Sequence, residues 1–151
     1  MRAVLAWSGS HADAVALARL LASGAQVVLA PGPWPAPRFV LEEQAACLGV
    51  RLVDGPAARS AAGDPARAAR EALARGIRAF VAAAAPPLGE GALGRFLDDG
   101  LADELDALGA WGAARTLAVS GGPFARRVDV VAGDVLRDGE GWRLALGLRG
   151  C

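Results

Sequence analysis

The chain has no lysine, tyrosine or asparagine, so all 16 of its basic residues are arginine. Any mechanism that needs a lysine amine is therefore excluded. Two cysteines, Cys47 and Cys151, make neither a disulfide framework nor a metal cluster. Neither sign of charge is in excess, with 16 basic residues against 16 acidic ones. That balance argues against a nucleic-acid binder working mainly through charge. No apolar run approaches the roughly 18–20 residues that span a bilayer. No basic-then-apolar leader with a small-residue cleavage site opens the sequence either. The expectation is a cytoplasmic protein with neither nucleic acid nor membrane among its partners.

What is present is a chain of 151 residues, 54% hydrophobic and rich in Ala, Arg, Gly and Pro. That length supports one compact domain with a real core, with room for a small subdomain. Residues 2–7 (RAVLAW) read as a buried strand, and 11–23 (HADAVALARLLAS) as a helix closed by Gly24. A strand at 25–30 breaks at the stiff loop 31–35, PGPWP. A helix over 38–48 closes at Gly49, and a strand follows at 50–53. The segment 54–63 is loop-like. A helix over 65–75 has Pro65 near its first turn, and 77–84 is a strand. This alternation predicts a mostly parallel sheet covered by helices. After Pro86-Pro87 the pattern changes to a helix from about 95 to 108, then short strands at 116–120, 126–136 and 141–148. The last two form a hairpin about RDGEG. The expected division is a first unit over 1–85 and a smaller α+β region over 86–151.

Four stretches resemble, in order, the N-type ATP pyrophosphatase family, whose members include diphthine–ammonia ligases. AVLAWSGSHADAVALARL resembles the family's opening strand, tryptophan and S-G-G-K-D-S loop. FVLEEQAACLGVRLV is similar to its helix, through Gln44, Ala45, Leu48 and Gly49. Leu93, Gly94, Arg95, Leu97 and Asp98 match L-G-R-x-L-D. ARTLAVSGGPFARRVDVV resembles H-T-L-V-x-D-G-P-x-F-x-x-R. The resemblance implies an α/β fold with a HUP/Rossmann-like, mostly parallel sheet and helices on both faces, then a small helix-plus-β-hairpin region. It also implies ATP and magnesium as cofactors, for activating a carboxylate that ammonia then converts to an amide.

The departures from the family bear on the chemistry. Ser10 replaces a glycine, His11 stands at the lysine, Ala12 at the aspartate and Asp13 at the final serine. The family's G-E-G-G-E-F-H-T becomes GAWGAART, keeping Gly109, Gly112 and Thr116 but neither glutamate nor the histidine. A helix and a strand ending in Gly-Asp have no counterpart around 54–64. Together these losses remove the charge stabilisation that pyrophosphate departure needs, so no catalytic residue and no metal ligand is assigned.

Two readings of the 8–13 loop stay open. In one, Ser8, Gly9, Ser10 and His11, with Gly112 and Thr116, still bind a nucleotide or another anion at the helix N-terminus. In the other, Ser10-His11-Ala12-Asp13 is a capping box, with Ser10 as N-cap and Asp13 reaching back. SGGP at 120–123, near Arg126 and Arg127, reads as an anion nest or as a glycine turn. Glu42 and Glu43, and the acidic run from Asp98 to Asp106, read as solvated faces, the acidic run otherwise as a metal site. Cys47, Trp7, Trp111 and Trp142 read as core, and Trp34 as an exposed aromatic at a cleft or oligomer contact. Three functions follow: a degenerate, catalytically inactive relative of the amide ligases that keeps nucleotide or anion binding; an active ATP-dependent ligase with a rearranged site; or an interaction scaffold. A homo-oligomer is expected.

Overall fold

The structure, a computed structural model, describes residues 2–32, 36–54 and 63–149. Its first three strands are β1 (Arg2–Trp7), β2 (Gln26–Pro31) and β3 (Arg51–Leu52), which pair in parallel in that order. Helix α1 (His11–Ala22) joins β1 to β2, and α2 (Arg38–Leu48) joins β2 to β3. Parallel neighbours require such crossovers. The buried face of α2 carries Val40, Leu41, Ala45 and Leu48, which pack with Leu5, Trp7 and Leu29 of the strands.

Helix α3 (Pro65–Ala74) then leads to β4 (Arg78–Ala84), and here the architecture departs from a mostly parallel, HUP/Rossmann-like sheet with helices on both faces. β4 does not extend the parallel sheet. It lies in a second, four-stranded antiparallel sheet with β5 (Ala114–Ser120), β6 (Val130–Asp138) and β7 (Gly141–Leu148), in the order β5-β4-β7-β6. The reason is physical. A continuous apolar run such as AFVAAA reports only that a strand is covered on both faces. An internal antiparallel strand meets that condition as well as a parallel one. β3 is two residues long and offers no edge for a seven-residue strand, whereas β5 supplies a ladder along the whole of β4. β4 therefore joins the strands that follow residue 86.

The opposite edge of β4 is shared. Its second half pairs with β7 through Ala83 and Ala84. Its first half binds the segment 94–97, through Gly94 N–H to Val81 O at 2.8 Å and Leu97 N–H to Ala79 O at 2.8 Å. This pairing displaces the helix expected from about 95. That helix, α4 (Asp99–Leu108), begins only where Asp98 Oδ1 accepts the Leu101 N–H at 2.7 Å. β6 likewise starts at Val130 and not at 126. α4 packs on α3 over a satellite core that includes Val81, Leu101 and Leu105.

Candidate functional site

Between β1 and α1 the chain turns sharply at Gly9, whose φ is +95°. A Cβ there would also lie 2.8 Å from Gln44 Oε1, so glycine is required on both counts. Ser10 caps α1, its Oγ accepting the Asp13 N–H at 3.2 Å. Asp13 reaches back past the cap to Ser8, where Oδ2 accepts the amide at 2.8 Å and the hydroxyl at 2.6 Å. Half of the capping box is thus formed as expected, and its reciprocal half falls on Ser8 instead of Ser10. A carboxylate occupies donors that a phosphate would need.

His11 is buried and fully engaged. Its backbone N–H donates to Thr116 Oγ1 at 3.0 Å, and its Nε2 lies 3.0 Å from the Pro65 carbonyl. A carbonyl only accepts, so Nε2 carries the proton, and Nδ1 accepts the Thr116 hydroxyl at 2.7 Å. Burial lowers the imidazole pKa below its ordinary 6.5, against the raising effects of Pro65 and Asp13. The ring is therefore a neutral tie between α1, β5 and α3, with no nitrogen left for a ligand.

Beneath the loop lies Gln44, which carries no exposed surface. Its Oε1 accepts the Trp7 indole N–H at 2.9 Å, and its Nε2 donates to Gly9 O at 3.1 Å and Ala118 O at 2.8 Å. One amide thus joins the end of β1, the loop and β5. The signal in the sequence is a glutamine among the apolar residues of its helix face.

Above the loop a cleft of about 670 Å³ opens. One side is built from the carboxyl ends of the parallel strands and the starts of α1, α2 and α3, the position where open α/β sheets hold ligands. The other side is the antiparallel sheet, through β4, β5 and β7. Ser8, Ser10, His11, Gly112 and Thr116 all line it, while Gly9 sits underneath against Gln44. Residues not foreseen from the sequence complete the walls: Phe39, Leu144, Leu146, Arg115, Asp138 and Arg143. Trp111, expected in the core, is half-buried on this wall. Its Nε1 donates to Asp106 Oδ1 at 2.7 Å, and its ring centroid lies 5.7 Å from that of His11.

ATP and magnesium fit these groups poorly. Ser8 donates to Asp13, the nitrogens of His11 are taken, and the described residues contain no group of three or more His, Cys, Asp or Glu suited to a metal. The acidic helix face is instead gathered around Arg70, which pairs with Asp99, Asp103 and Asp106. Glu42 is a solvated partner of Arg38, whereas Glu43 holds Arg126 at 3.0 Å and accepts from the Cys47 thiol. Burial, aided by Glu43, pushes that thiol up to about 11. At SGGP, a Cβ on Gly121 would overlap the Gly76 carbonyl, so the glycines make a close backbone packing. Trp7 is core as expected, and Trp142 is half-buried beneath Arg137. Trp34 and Cys151 lie outside the described residues.

Fold and site together define an α/β protein with a cleft that opens between a parallel and an antiparallel sheet. Neither models of known protein families nor the curated proteins match the sequence. No helix among the described residues is long and apolar enough to cross a membrane.

Proposed function

We propose that the chain binds a small anionic molecule in this cleft and does not perform ligase chemistry, as a degenerate relative of the amide ligases whose motifs it resembles. One observation carries the reading. Arg143 lines the cleft with no carboxylate partner among the described residues, whereas the Ser8 N–H and hydroxyl and the His11 N–H are already used inside the protein. The volume falls in the range of about 300–1,000 Å³ typical of small-molecule sites. An unpaired guanidinium there favours an anion. Arg143 takes over the charge role that the resemblance gave to His11.

The test is a thermal-shift and calorimetric panel of AMP, ATP with magnesium, and aromatic and aliphatic carboxylates at millimolar concentration. At least one anion is expected to raise the melting temperature, since a ligand well above its Kd must stabilise the fold. No shift across the whole panel overturns the reading. Pyrophosphate released from ATP on adding ammonia and a carboxylate overturns its non-catalytic half.

A further inference from the structure

The cleft walls say more about the ligand than its charge. Phe39, Trp111, Leu144 and Leu146 supply apolar surface, and Ala82 and Ala83 add short apolar side chains to the same lining. The Trp111 ring is held by Asp106 and by contact with His11, so it is a wall already set in place. Phe39 is 41% exposed, a large apolar side chain left uncovered at the cleft.

Charge is sparse by contrast. Arg143 stands on an internal strand, in a cross-strand row between Ala83 and Leu136, without an ion pair among the described residues. Arg115 already interacts within the chain. Asp138, at the end of β6, puts a carboxylate on the same lining, and Asp13 puts another behind Ser8. Among the described lining residues, a triphosphate would meet the Arg143 guanidinium together with the Asp138 carboxylate. A single carboxylate matches Arg143 in a bidentate pair and leaves the rest of its molecule to the apolar walls.

We infer that the cleft takes a small monocarboxylic acid with a flat apolar body, its carboxylate on Arg143 and its body against Phe39 and Trp111, and that Asp138 turns away polyanions. This inference rests on the ligand-cleft reading above.

Calorimetry on the full chain with 3-phenylpropionate, the neutral 3-phenylpropanol and AMP tests it. The acid is expected to bind at least tenfold more tightly than the alcohol. Arg143→Gln, with an unchanged melting temperature, is expected to erase that difference. Trp111→Leu is expected to weaken acid and alcohol alike, and Asp138→Asn to strengthen AMP several-fold. Equal binding of acid and alcohol, or Arg143→Gln without effect on the acid, overturns the inference. So does AMP binding more tightly than the acid, or gaining nothing from Asp138→Asn. Binding of AMP alone sinks the inference and leaves the anion reading standing, whereas silence from all three probes and the wider panel ends both.

Discussion

Two regions on either side of the Gly9 loop treat polar groups in opposite ways. Beneath Gly9, the Gln44 amide bonds three separate segments with both of its polar atoms used, and no buried side-chain polar atom among the described residues lacks a partner. Above Gly9, Arg143 and Asp138 face the cleft with no ion pair among the described residues. A buried polar group is tolerated only when satisfied. A charge at a cleft stays useful to a ligand only while the chain itself does not satisfy it. The lower region serves the fold, and the upper one is open to a second molecule.

The sharpest way to break this contrast is to exchange one residue on each side. Gln44→Leu strands the Trp7 indole N–H and removes a donor from two carbonyls, at an expected loss of about 2–4 kcal/mol. Arg143→Gln, on the open side, is expected to change stability by less than about 0.5 kcal/mol. Denaturant titration of both variants measures the difference. Equal losses would mean that the two regions are not distinct in kind.

His11 lies on the boundary and gives the contrast a pH dependence. Its pKa is lower in the folded protein than the ordinary 6.5, so the unfolded chain takes up the proton first as pH falls. Stability is then complete above about 6.5 and declines below it until the folded-state pKa is passed. The melting temperature should therefore drop between pH 7 and 5, and His11→Gln should flatten that slope. A slope unchanged in the variant would assign the effect to other groups.

The smallest expected effect concerns Cys47, whose buried thiol is pushed up to about 11 and should resist modification. In a Cys151→Ser background, a disulfide reagent at pH 8 should label no thiol until denaturant is added. Rapid labelling would show that the lower region opens more freely than its bonding implies.

Much of this was legible in the sequence, and unevenly so. Helix α1, its Ser10 cap and the glycine that ends α2 follow from local periodicity and capping chemistry, and all three appear in place. The burial of β4 was equally legible, but its partners were not, because an apolar run carries no sign of strand direction. Segment 94–97 differs from expectation for a related reason: RFL has enough helical character locally, and only pairing to β4 holds it extended. At the site, Ser8, Ser10, His11, Gly112 and Thr116 were named together and do line one cleft. What the sequence could not tell was that His11 and Ser8 would be spent on Thr116, Pro65 and Asp13. Arg143 had no local signal at all, since an arginine alternating with apolar residues reads as any outward position of a strand.

The shared edge of β4 sets the order in which the molecule can be completed. Its first half is sealed by residues 94–97, but Ala83 and Ala84 wait for β7, more than fifty residues later in the chain. Until the hairpin docks, an alanine-rich strand presents half an open edge, the feature through which chains stick to one another. The same hairpin brings Asp138 and Arg143 to the cleft. The piece that closes the sheet against aggregation is therefore also the piece that makes the cleft selective, and a folded chain without it would have neither protection nor preference.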